Sequence, residues 1–311
     1  MDDDFALFAG TAHPALAESI AAELGVRLAA SHVERFPDGE VSVRIGGSVR
    51  GKEIFLIQPT SPPVDQHLVE LLAFVDACRR GAAGPVTAIV PYFGYARSDK
   101  RVGRREAIMA RVVADLLQSA GVDQVIAIDL HTPQIEGFFH IPVDTLTAVP
   151  TLSAALAPGL SPEAVVVAPD AGRVGLATIY ANRLGVPVAV LHKRRESGAE
   201  TRVTHLVGDV RDRPCVLIDD MIATGGTIIE SVQVLLDAGA RPEMRVVATH
   251  GLFVGAARER LAHPAIREVL VTDTVPQSAG EHLPLRVASV APLLASAIRQ
   301  FLADGSLEAL F

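Results

Sequence analysis

The chain alternates two kinds of segment. Short runs of mostly β-branched apolar residues stop abruptly in a polar or glycine-containing turn, and a segment with apolar residues at helical spacing follows. VTAIVP (86–91) leads into YFGYARSD, VIAID (125–129) into LHTPQ, VVVAP (165–169) into DAGRVG, CVLI (215–218) into DDMIATGGT and VLVT (269–272) into DTVPQ. Runs that are apolar at nearly every position suit parallel strands covered on both faces. IMARVVADLLQSAG (108–121) and TIIESVQVLLDAGA (227–240) carry the helical period, and the glycine near the end of each suits a helix stop. The alternation predicts an α/β protein built on parallel sheets. It occurs in both halves, with the proline-bearing stretch VDTLTAVPTLSAALAPGLSPE (143–163) as the crossover between two units, 1–145 and 146–311.

Composition narrows the class. At 311 residues the chain is long for a single core, and 49% hydrophobic residues suffice for two. The formal charge of −8 argues against a general nucleic-acid binder but leaves room for a local basic pocket. Cys78 and Cys215 are too few and too isolated for a disulfide framework or a zinc site, which points to a reducing cytoplasm. MDDDFALFAG lacks the basic and apolar regions of a signal peptide, and no apolar run reaches the length of a membrane span, so no membrane partner is expected.

In open parallel sheets, ligands sit beyond the carboxyl ends of the strands. The most informative such end is CVLIDDMIATGGTIIES (215–231). An apolar strand delivers Asp219 and Asp220, and Thr224-Gly225-Gly226-Thr227 forms a turn at a helix start. Glycines permit close backbone approach, and free amides at a helix start suit a phosphate. Two carboxylates would repel a polyphosphate but accept hydrogen bonds from sugar hydroxyls. The combination reads as a sugar-phosphate site, whereas TGGT by itself would read as an ordinary strand–turn–helix with solvated acids.

This loop resembles the phosphoribosyl-diphosphate loop of type I phosphoribosyltransferases and of ribose-phosphate diphosphokinases. Further segments resemble the diphosphokinases alone: RFPDGE (35–40), PPVDQHLVELL (62–72), IVPYFGYARSDKR (89–101), IDLHTPQIEGFF (128–139), IPVD (141–144), APDAGRVG (168–175) and HKRR (192–195), in the family's order and across nearly the whole chain. The resemblance implies two phosphoribosyltransferase-like domains, each a largely parallel sheet flanked by helices. ATP belongs to the first domain and ribose 5-phosphate to the second, and the last helix is a candidate to pack back on the first. It implies transfer of diphosphate from ATP to the 1-hydroxyl of ribose 5-phosphate with Mg²⁺, in a homo-oligomer.

Carried over residue by residue, the resemblance assigns Phe36, Asp38, Gly39 and Glu40 to the adenine and ribose of ATP, although Pro-Asp-Gly alone reads as a β-turn. Arg97, Ser98, Asp99 and Lys100 are assigned to ATP phosphates, with Ser98 standing where the family commonly has Gln. His131, by spacing a capping or core histidine, becomes a metal-segment residue, and Asp170 supplies a carboxylate for Mg²⁺. Lys193 and Arg195, by composition a solvated basic patch, become the cations of a catalytic loop, with Arg195 also facing the sugar. Asp219, Asp220, Ala223, Thr224, Gly225, Gly226 and Thr227 take ribose 5-phosphate, and Ala223 stands where many members have Asp. Arg173 and Gly175 depart from the family pattern and are left outside the site. The rival readings are a phosphoribosyltransferase, which has no use for FPDGE and HKRR, a regulatory paralogue, which would lose these cations, and a plain nucleotide-binding module.

Overall fold

The structure, a computed structural model, describes residues 4–196, 200–278 and 283–310, with the backbone alone described for 193–196, 200–204 and 309. It divides into two compact units: residues 1–147 with 274–276 and 290–311, and residues 148–273 with 277–289.

The first unit contains β1 (Phe5–Ala9), α1 (Pro14–Leu24), β2 (Ser31–Arg35), β3 (Val41–Ile45), β4 (Glu53–Ile57), α2 (Val64–Arg80), β5 (Val86–Val90), α3 (Met109–Ala120), β6 (Gln124–Ile128) and β7 (Val143–Leu146). Its main sheet is parallel, in the order β1-β4-β5-β6-β7. Every residue of β5 is buried, which explains the unbroken apolar run of VTAIV. Leu56 of β4, Phe74 of α2, Ala88 and Val90 of β5, and Val113 and Leu117 of α3 share one core. Strands β2 and β3 form a separate antiparallel hairpin with FPDGE at its tip.

The second unit contains α4 (Val149–Leu156), β8 (Val165–Ala168), α5 (Val174–Leu184), β9 (Val188–Glu196), β10 (Glu200–Val207), β11 (Cys215–Ile222), α6 (Gly226–Asp237), β12 (Met244–Gly251), α7 (Ala257–Leu261), β13 (Ile266–Thr272) and β14 (Leu285–Ala288). Its sheet runs β10-β9-β8-β11-β12-β13-β14, parallel except for the β9–β10 pair. Helix α8 (Ala291–Leu302) belongs to the first unit, where it packs on α1 and brings Phe301 to within 6.4 Å of Phe55.

The parallel α/β architecture matches the expectation from the apolar runs. Gly121 closes α3 and Gly239 follows the end of α6, both with left-handed φ (+106° and +86°). The boundary between the units falls between Thr147 and Ala148, inside the 143–163 stretch, which also holds β7 and α4. Two local expectations need correction. No helix follows VLVT; a turn leads instead to β14. HKRR is not a loop: its backbone continues β9, antiparallel to β10.

Candidate active site

In the second unit the sugar-phosphate segment lies on the central β11, flanked by β8 and β12. Asp219 and Asp220 come near the end of that strand, which runs two residues further, to Ile222. The backbone of Ile222 and Ala223 is pinned from the next segment, since Leu252 N–H donates to the Ile222 carbonyl (2.9 Å) and Val254 N–H to that of Ala223 (2.9 Å). Arg260 donates to the Thr224 carbonyl (3.0 Å). Helix α6 then starts with Gly225 as its N-cap, at φ +73° and with no side chain to bond the first-turn amides. Those amides are left for water or a ligand. A Cβ on Gly225 would lie 3.3 Å from Leu261 Cγ, whereas one on Gly226 would find only Thr224 Oγ1, at 3.7 Å. Gly225, rather than Gly226, is therefore the residue that needs to be glycine for its backbone. Thr224 and Thr227 are exposed on either side.

Asp219 and Asp220 are largely buried, and Arg173 bridges them. Its Nε donates to Asp219 Oδ1 (2.9 Å) and its Nη2 to Asp220 Oδ1 (2.8 Å). The Asp220 amide also donates to Asp219 Oδ1 (2.9 Å). Burial, followed by the neighbouring Asp220, pushes the Asp219 carboxyl up to about 8, against the opposing pull of Arg173. Arg173 lies on the 3₁₀ turn Ala171–Arg173 after β8. Asp170 caps that turn by accepting the Gly172 N–H (2.8 Å). The resemblance sets Arg173 aside because it breaks the family pattern, and nothing in its own segment reveals partners 46 residues away.

In the first unit the FPDGE tip is exposed and internally hydrogen-bonded. Phe36 N–H donates to the Glu40 carbonyl (2.9 Å), Gly39 N–H to that of Phe36 (2.8 Å), and Glu40 N–H to Asp38 Oδ1 (3.1 Å). Gly39 takes the left-handed φ of +95° that the turn requires. The Phe36 side chain is 42% exposed. Below the tip, Arg35 donates to Glu70 Oε2 (2.9 Å), and Glu70 is completely buried in α2. The other bonds to Glu70 come from Thr11 N–H (2.6 Å), Thr11 Oγ1 (2.7 Å) and Gln58 Nε2 (3.0 Å). Sequence reading missed this network, which joins the β1 and β4 ends to the base of the hairpin.

The Arg97–Lys100 segment follows β5 through a tightly packed turn. A Cβ at Gly94 would meet the Thr60 carbonyl at 2.5 Å, so the turn admits only glycine there. Arg97 and Lys100 are exposed. Ser98 Oγ accepts the Met109 N–H at the start of α3 (3.2 Å), a structural use for this hydroxyl. Thr132 Oγ1 donates to Asp99 Oδ2 (2.7 Å), which ties the segment to the one bearing His131. Among the described residues no hydrogen bond or ion pair joins the FPDGE tip to Arg97–Lys100. The side chains of Lys193 and Arg195 lie outside the described residues.

Among the described residues no three His, Cys, Asp or Glu side chains cluster as a metal cage. A Mg²⁺ ion does not need one, since it takes one or two carboxylates and fills its shell with water and phosphate oxygens. Asp170 fits that demand as a hard oxygen donor; the His131 imidazole fits it less well.

Comparison with known proteins decides the family. Residues 5–121 match the N-terminal domain of ribose phosphate pyrophosphokinase, and residues 198–311 the phosphoribosyl synthetase-associated domain. A ribose-phosphate pyrophosphokinase of Corynebacterium efficiens is 46% identical over 309 residues, covering 98% of this chain and 95% of its own. The chain belongs to the ribose-phosphate pyrophosphokinase family. The same enzyme of Caldanaerobacter subterraneus is 44% identical over 307 residues, with 98% and 97% covered. The crystal structure of phosphoribosylpyrophosphate synthetase from Mycobacterium smegmatis superposes with a TM-score of 0.91 at 44% identity, over 97% of this chain and all of that one. The pyrophosphokinase membership expected from the ordered motifs is thus established, as is the α/β fold. No described helix is long and apolar enough to cross a membrane.

Proposed function

We infer that the chain carries out its family's reaction, moving the diphosphate group of ATP to the 1-hydroxyl of ribose 5-phosphate to give phosphoribosyl diphosphate and AMP. The observation that carries this is the full-length match to ribose-phosphate pyrophosphokinases, into which the 215–231 loop fits as a sugar-phosphate site. A phosphoribosyltransferase would share that loop but not the other family segments.

The residue roles follow from chemistry. Asp219 and Asp220 accept the ribose hydroxyls, and the amides and hydroxyls of Ala223–Thr227 hold the 5-phosphate against the open N-terminus of α6. Phe36 stacks on the purine, and Asp38, Gly39 and Glu40 bond its edge and ribose. Arg97 and Lys100 hold the phosphates, Asp99, itself bonded by Thr132, belongs to the same ATP segment, and Ser98 supports its turn. In this scheme residues 1–145 carry the ATP side and 146–311 the sugar side. Lys193 and Arg195 neutralise charge developing on the transferred group, and Arg195 also faces the sugar. Asp170, with His131 beside the nucleotide, would hold Mg²⁺, which when bound neutralises phosphate charge. The remaining work is positioning: attacking oxygen and β-phosphorus are held in line, and no side chain is needed as a covalent nucleophile. The setting is cytoplasmic and the enzyme a homo-oligomer, in keeping with two buried free thiols and with the family's habit. Incubation with ATP, Mg²⁺ and ribose 5-phosphate should release AMP in step with phosphoribosyl diphosphate, while ADP as the main product would contradict the reading.

A further inference from the structure

We propose that Arg173 is a positioning residue for the sugar: its guanidinium locks Asp219 and Asp220 side by side in the arrangement that receives a pair of ribose hydroxyls. The proposal rests on the reading of these two carboxylates as the sugar's acceptors.

Consecutive strand residues normally point to opposite faces of a sheet. Here two consecutive carboxylates are nevertheless drawn to one guanidinium, by Nε to Asp219 and Nη2 to Asp220, at 2.9 and 2.8 Å. A planar guanidinium fork fixes two oxygen atoms in both distance and direction, which the point charge of an ammonium cannot do. All three side chains are less than a fifth exposed, so the pairs are little screened by solvent.

The arrangement also has a charge logic. Two buried carboxylates repel each other and tend to keep a proton, and Asp219 is indeed held well above the usual carboxylate range. A protonated carboxyl is a poorer acceptor for a sugar hydroxyl. The groups bearing on Asp219 are Asp220 on its own strand and Arg173 on the turn after β8, with His250 of β12 opposite Met221. Arg173 opposes the proton uptake that Asp220 and burial favour. The turn that carries it is itself capped by Asp170, so its placement is tied to the end of β8 rather than to a free side chain.

The test is calorimetric titration of ribose 5-phosphate into wild type, Asp220→Asn, Arg173→Gln and Arg173→Lys, from pH 6 to 9, with an ATP analogue titrated in parallel. Arg173→Gln should weaken ribose 5-phosphate binding about tenfold or more, the order expected for loss of a charge-assisted pair. It should leave analogue binding near wild type and move the pH at which sugar affinity rises to a higher value. Arg173→Lys should recover part of the affinity, and under turnover the Gln variant should raise KM for the sugar more than it lowers kcat. If Asp220→Asn loses the sugar while Arg173→Gln binds it like wild type with an unmoved pH profile, the proposal is overturned and the sugar reading stands. If Asp220→Asn binds the sugar normally, the reading fails and the proposal with it. Equal loss of sugar and analogue in Arg173→Gln would mark a purely structural role and also overturn it. Should Arg173→Gln not fold, Arg173→Lys decides, and wild-type sugar affinity in that variant would count against the guanidinium.

Discussion

At the scale of single residues, the informative group is Asp219, an acid whose carboxyl is raised to about 8 from a usual value near 3.8. Between those values the folded chain holds a proton that the unfolded chain has lost, so this group's contribution to stability falls as pH rises through that window. Asp219→Asn removes the titration. Its melting temperature, relative to wild type, should therefore rise as pH goes from about 4 to 9, while its affinity for ribose 5-phosphate falls. Thermal unfolding across that range checks the sign, and a difference independent of pH would contradict the assigned shift. The acids and the glycines of this loop were legible in sequence because they are contiguous and in register with an apolar strand. Arg173 was not, because its partners are distant in the chain and its type breaks the family pattern. Ser98 carries the same lesson, since its hydroxyl serves the start of α3, which sequence does not place beside it.

At the scale of elements, the α6 entry separates two glycines that sequence treats alike. Gly225 has the left-handed backbone, so Gly225→Ala should destabilise by about 1–2 kcal/mol through its φ alone. Gly226 has no such φ, and a Cβ there would make only an ordinary contact, with Thr224 Oγ1 at 3.7 Å. Gly226→Val should therefore fold with little loss yet weaken ribose 5-phosphate binding sharply, by placing a branched side chain where the phosphate approaches. Calorimetry on both variants distinguishes them, and unchanged sugar affinity in Gly226→Val would remove the phosphate from this loop. The β2–β3 hairpin supplies a second case. FPDGE was recognisable, but its support was not: Arg35 meets Glu70 across 35 residues, and Glu70 also satisfies Thr11 and Gln58. Arg35→Ala leaves that buried carboxylate short of its cation and frees the base of the hairpin. The expected result is a KM for ATP raised several-fold with KM for the sugar unchanged; steady-state kinetics with each substrate varied provides the check.

At the scale of the whole molecule, two parallel sheets of different strand order were foreseeable as a class from buried apolar runs. The return of α8 to the first unit was expected from the family resemblance alone. Strand order and the pairing of β9 with β10 were not foreseeable, because they depend on pairings between segments that carry similar patterns. The hairpin matters for chemistry, since Lys193 and Arg195 are placed on a strand where sequence suggested a loop. If their cations act on the transition state, Lys193→Ala should lower turnover by orders of magnitude at unchanged melting temperature. The transfer reaction is checked by following the adenine nucleotides and the sugar product together, in pure protein with ATP, Mg²⁺ and ribose 5-phosphate. The expected result is equal amounts of AMP and phosphoribosyl diphosphate, and none of either when the sugar is left out. ADP as the main nucleotide product, or AMP formed without the sugar, would contradict it.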